Sequence, residues 1–253
     1  MGYLNVKFRP DLIQSDTTVM IADDRTDTPF ADGDVLFDWH AVDIPKGATA
    51  LKGMTVVVNG KNGSRQTLQD IQIVFATDVD GVAPPTLGVV NATASAIGTQ
   101  NHIIGGISLD AIPINKIDTY AVLGQYSAAS QKDSALPVLE GEASSTQGFQ
   151  RVYVGGLCTD AYDFATNTLV NGAIDASATN GKTITVDGTD ARKVFSKGDL
   201  VYVSANDTQI PGKVESVTDT VITFDTVNST VDIADNAEVL CATPLKIILH
   251  LED

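Results

Sequence analysis

Of the 32 acidic residues in this chain of 253, 27 are aspartate and only 5 are glutamate. Glutamate suits helix interiors, whereas aspartate competes for backbone hydrogen bonds and collects in turns and caps. Set among many Val, Ile and Thr residues, which fit pleated strands, this imbalance predicts an all-β chain of strands and turns. Hydrophobic content of 43% gives such a chain enough apolar surface for a folded core.

Along the chain, residues 1–45 read as an extended, aspartate-rich N-terminal arm, with nine Asp between Asp11 and Asp43, leading into a first strand around "VLFDWHAVDI". The stretch "MTVVVNGKNGSRQTLQDIQIVFATD" predicts a hairpin turning at "NGKNG", with Leu68, Ile71 or Ile73 facing inward and a bulge where the alternation slips. "IIGGISLDAIPI", "TYAVLGQY" and "FQRVYVGGLCTDAYDF" have strand character, and 127–148 is the most linker-like segment. These elements are assigned to a first domain over 46–173. From 174 to 243 short strands recur about every ten residues between Asp-Gly, Asn-Asp and Pro-Gly turns, a rhythm that predicts a small SH3/OB-like β-barrel. Its expected core is Val201, Val203, Val214, Val217, Ile222 and Phe224. The terminal strand 244–253, "PLKIILHLED", is surplus to a five-stranded barrel. It is expected to return to the first domain, making the barrel an insertion.

The formal charge of −16 is shared by both halves of the chain. Such a surface repels phosphate backbones, so nucleic acid is not expected as a partner. No run of about 18 apolar residues occurs, and no apolar segment precedes a cleavage site, so neither a membrane span nor a secretion signal is expected. Cys158 and Cys241 are too few for a zinc cluster or a disulfide framework and read as buried thiols. His40 and His250 read as sheet-face residues and His102 as a loop residue. Neither Asp78, Asp80 and Gly81 nor Asp23, Asp24 and Asp27 completes an EF-hand loop. With no nucleophile elbow, phosphate loop, H-E-x-x-H or C-x-x-C, no catalytic residue, metal ligand or cofactor is assigned and no enzymatic activity is expected.

The segment "FSKGDLVYVSANDTQIPGKVESVTDTVITFDT", followed by "LKIILHLED", resembles the virion structural proteins of tailed bacteriophages, in particular capsid decoration (cement) proteins. The likeness lies in the Asp/Thr/Ala/Gly-rich strands and the "KGD…GKV" barrel unit. It covers the C-terminal third best, and no functional residue is carried over from it. It implies that 46–173, completed by strand 244–253, is a jelly-roll-like β-sandwich beside the small barrel, and that the chain forms a symmetric oligomer, a homotrimer, seated on the virion's capsid surface with the major capsid protein as partner. Two other readings stand beside it: a tail- or fibre-associated module that binds carbohydrate through Trp39 or tyrosines, and a hydrolase whose site assembles from distant residues.

Overall fold

The computed structural model describes residues 2–12, 30–58, 71–95, 98–109, 115–116, 122–127, 136–141, 149–161, 168–174, 182–203, 208–209, 212–226 and 232–252. These residues form strands and turns. Among them there is no α-helix, only a 3-10 turn at Ala191–Lys193.

A six-stranded antiparallel sheet takes the order β1 (Tyr3–Phe8), β17 (Leu245–Glu252), β3 (Thr49–Val58), β7 (Val122–Ser127) and β6 (Asn115–Lys116), with β8 (Val138–Leu139) also paired to β3. A four-stranded antiparallel sheet runs β2 (Val35–Pro45), β9 (Phe149–Cys158), β4 (Ile71–Thr77) and β5 (Ile103–Ser108). The two sheets share one core. Met54, Val56, Ile247 and Leu249 enter it from the first sheet, and Phe37, Ile44, Ile73, Phe75 and Val154 from the second. This is a β-sandwich, and strand periodicity explains it. In β17, Leu245, Ile247, Leu249 and Leu251 point into the core while Lys246, Ile248, His250 and Glu252 lie half-buried on the other face.

β2 and β3 belong to different sheets, and the chain crosses between them in three residues, 46–48. Gly47 takes a left-handed φ of 99° there, which glycine adopts without a Cβ clash. The buried Gln150 side chain closes this corner. It accepts from the Gly47 N–H at 3.3 Å and donates to the Gly47 carbonyl, so a polar group inside the protein is satisfied on both sides. In β9, Gly156 leaves room for Phe37, since a Cβ would meet the Phe37 ring at 2.2 Å.

The expected hairpin over 54–78 does not form. β3 and β4 lie in opposite sheets, because each is central to its own. β3 is paired by β17 and β7, and β4 by β9 and β5. Neither has an edge left for the other. The "NGKNG" turn and Leu68 lie outside the described residues. Ile71 and Ile73 are buried as expected, and a register shift at Phe75/Ala76 interrupts the β4–β5 ladder.

A second core occupies the chain between β9 and β17. One four-stranded sheet runs β10 (Thr168–Val170), β11 (Thr183–Gly188), β15 (Val221–Phe224) and β14 (Val214–Val217). A three-stranded sheet runs β13 (Thr208–Gln209), β12 (Val201–Val203) and β16 (Val239–Cys241). Val201, Val203, Val214, Ile222 and Phe224 are buried in this core, with Val217 packed at its margin. Val170 joins them, so the core draws on residues upstream of 174.

The expected barrel is not closed. The two sheets meet through an isolated bridge, Leu169 with Glu238, and through single backbone bonds such as Val170 N–H to the Ala237 carbonyl at 2.8 Å. Strands of three or four residues are too short to carry a continuous ladder around a barrel.

The two cores adjoin. Tyr202, Leu240 and Ala242 of the second module are buried in the sandwich core, and the Leu12 N–H donates to the Ala242 carbonyl at 2.9 Å. The N-terminal segment is therefore no free arm at its ends. β1 is a sheet strand, and Phe8, Leu12 and Phe30 belong to the sandwich core. Residues 13–29 lie outside the described residues.

Candidate functional site

Where the sandwich meets the second module, a cleft of about 450 Å³ opens. β1 and the residue after it contribute Lys7, Phe8 and Arg9; β2 contributes His40 and β17 contributes Lys246. From the second module come Lys197, Gly198, Leu200, Lys213 and Thr243. Five of these ten lining residues are Lys or Arg and none is Asp or Glu, in a chain with 16 basic and 32 acidic residues.

The turn "FSKGD", Phe195–Asp199, builds one wall. Asp199 folds back on it: the Ser196 N–H donates to its carboxylate at 2.6 Å and the Ser196 hydroxyl at 3.1 Å. Gly198 has a left-handed φ of 89°, and its N–H donates to the Val214 carbonyl at 2.7 Å. The Arg9 guanidinium lies over this turn and pairs with Asp199 across the junction. Asp199 is only 1% exposed. Burial pushes its carboxyl up to about 6, against the pull of Arg9 and of the Ser196 donors. Cys241, also buried, donates its thiol to the same carboxylate, and burial holds that thiol well above its usual range.

His40 forms part of the cleft by stacking on Phe8, with ring centroids 4.5 Å apart and planes 9° from parallel. Burial lowers its pKa, so the imidazole is neutral at pH 7. Lys7, Lys197, Lys213 and Lys246 have no ion-pair partner among the described residues. The fixed charge of the cleft at neutral pH is thus four ammonium groups beside a neutralised Arg9–Asp199 pair. Such an arrangement attracts anions.

The other residues singled out in the sequence do not gather into a site. His250 is used at both nitrogens: Nδ1 donates to Asn5 Oδ1 at 2.7 Å and Nε2 meets the Thr55 hydroxyl at 2.8 Å. His102 donates from Nδ1 to the Thr77 carbonyl at 2.9 Å. Asp80 and Gly81, both with positive φ, make the tight turn between Val79 and Val82, the conformation that Asp-Gly favours. Asp78 accepts from the Tyr153 hydroxyl, and Asp23, Asp24 and Asp27 lie outside the described residues. Among the described residues, no three His, Cys, Asp or Glu side chains stand where they could hold a metal ion. Cys158 and Cys241 are both buried and unbridged, one in each core. The half-buried Trp39 donates its indole N–H to the Pro85 carbonyl at 2.7 Å.

The cleft was not foreseen from the sequence. Its lysines come from "VKF", "SKG", "GKV" and "LKI", contexts no different from other lysines of the chain. Comparison with known proteins supplies no relative: no family model matches the chain, and no curated protein is significantly similar to it.

Proposed function

We propose that this protein is a structural virion protein of the capsid-decoration class, which binds the assembled shell as a homotrimer and stabilises it. The observation that carries this reading is the edge strand β1. It stands at the end of the six-stranded sheet with β17 on one side, and it presents Tyr3 at 80% and Leu4 at 40% exposure. An edge strand with outward apolar side chains invites pairing with another chain, and native proteins cover such edges. A neighbouring subunit or a capsid surface supplies that cover. The all-β build suits a part whose work is contact.

Binding to a folded surface stabilises it by mass action, by about 2.7 kcal/mol at a hundredfold excess over the dissociation constant. Repeated over a shell, weak contacts of this kind toughen it. The test is the melting of purified shells that lack this protein, with and without the full chain, alongside sedimentation of the free protein. Shell melting should rise with the full chain. A Tyr3→Ser/Leu4→Lys variant, altered only at exposed positions, should fold as the parent and lose this effect. Shells that melt identically in all cases would end the reading.

A further inference from the structure

The basic cleft goes beyond the shell-binding reading and does not depend on it. Four ammonium groups collected in one cavity repel one another, and a chain with 32 carboxylates had ample means to neutralise them. No carboxylate lines the cleft. Solubility does not account for the cluster either, because in this chain solubility is served by the excess of acid, and local lysines reduce it. An anion bound between the lysines removes the repulsion.

We infer that this cleft is a binding site for a compact phosphate anion carrying two or more phosphoryl groups. Three features select that chemistry. The free cations are lysines, point charges suited to phosphate oxygens, while Arg9, whose planar fork matches a carboxylate, is already engaged by Asp199. A terminal phosphoryl group carries about −1.5 to −2 charges at pH 7 and a second one linked to it adds about one more, so the pair offsets most of the charge of Lys7, Lys197, Lys213 and Lys246. The formal charge of −16 on the whole molecule repels a long polyanion, so the ligand is small enough to sit inside a cavity of about 450 Å³, within the usual size of small-ligand sites. The walls are set before any ligand arrives. The Arg9–Asp199 pair and the Leu12–Ala242 hydrogen bond lock the sandwich to the second module, and Tyr202, Leu240 and Ala242 pack across the junction.

The test is calorimetric titration of the full chain with pyrophosphate, a nucleoside diphosphate and a single-stranded oligonucleotide, at matched ionic strength so that screening is constant. Pyrophosphate should bind saturably at one site per chain. The double variant Lys197→Gln/Lys213→Gln, changed at exposed side chains, should weaken it about tenfold at unchanged melting temperature. A control variant, Lys52→Gln, at a lysine that does not line the cleft and pairs with Glu252, should bind as the parent does. A nucleoside diphosphate that binds as well as pyrophosphate supports the site with a nucleotide as source; one that binds less well supports it with the free anion. Absence of saturable binding, equal loss in the control variant, or tighter binding of the oligonucleotide than of pyrophosphate would overturn the proposal.

Discussion

In the sandwich, β2, β3 and β9 run for 11, 10 and 10 residues, and their backbone groups are taken up by long ladders. In the second module β12, β14, β15 and β16 run for three or four residues, and short ladders leave many turn amides without a strand partner. Aspartates take those amides. Asp190 accepts from the Arg192 N–H at 3.0 Å, Asp199 from Ser196 at 2.6 Å, Asp225 from Lys213 at 2.8 Å and Asp235 from Gly172 at 2.8 Å. A carboxylate one methylene from the backbone reaches neighbouring N–H groups in a turn, and the longer glutamate loses more rotamer freedom in doing so. The excess of Asp over Glu is thus a record of turn capping, and the sandwich shares it where Asp34 accepts from the Ala31 N–H at 2.7 Å and Asp38 from the Leu87 N–H at 2.8 Å.

The largest effect that would sharpen this contrast comes from the cores. Phe224→Ala should cost about 3–5 kcal/mol and strip hydrogen-exchange protection from β11, β14 and β15, while β2, β3 and β9 remain protected. Phe75→Ala, fully buried in the other core, should do the reverse, exposing β4 and β9 first. Loss of protection across both regions in either variant would mean that they unfold as one unit.

A smaller effect comes from pH. Asp199 titrates at about 6 in the fold against 3.8 when free, so the folded protein binds that proton more tightly than the unfolded chain. Its contribution is most favourable below about pH 4 and is lost as pH rises through 6. Asp199→Asn cannot titrate. Between pH 4 and pH 7 the stability difference between the two proteins should therefore shift by roughly 2 kcal/mol in favour of the variant, read from urea midpoints at each pH. A difference that stays constant would show that Arg9 and Ser196 offset the burial of Asp199.

The smallest effect tests capping itself. Asp225→Glu keeps the charge and moves the carboxylate out by one carbon. It should cost about 1 kcal/mol through the Lys213 N–H, measured by thermal unfolding. A neutral result would detach the aspartate bias from the turns.

Strand character was legible wherever one segment's own alternation decides it. "LKIILHLE" shows a buried face in its spacing alone, and Val201, Val203, Val214, Ile222 and Phe224 are buried where alternation between turn residues places them. The pairing of β3 with β4 misread as a hairpin shows the limit. A turn-rich connection is compatible both with neighbouring strands and with a crossing between sheets, and the choice depends on which other strands compete for each edge. Closure of the small barrel failed as an expectation for the same reason, since strand length around the whole circuit decides it.

The basic cleft belongs wholly to this second kind of information. Lys7 and Lys246 approach because β1 pairs with β17 across almost the entire chain. Lys197 and Lys213 reach them because the second module docks on the sandwich, through Asp199 with Arg9, the Leu12–Ala242 hydrogen bond and the packing of Tyr202, Leu240 and Ala242. What the amino-acid order determined by itself was local: the all-β class, the turns that aspartate caps, and the inward faces of single strands, each dictated by interactions within a few residues. What the tertiary structure alone decided was adjacency, which sheet edges meet and which charges share a cavity, because those contacts join residues that no local spacing relates.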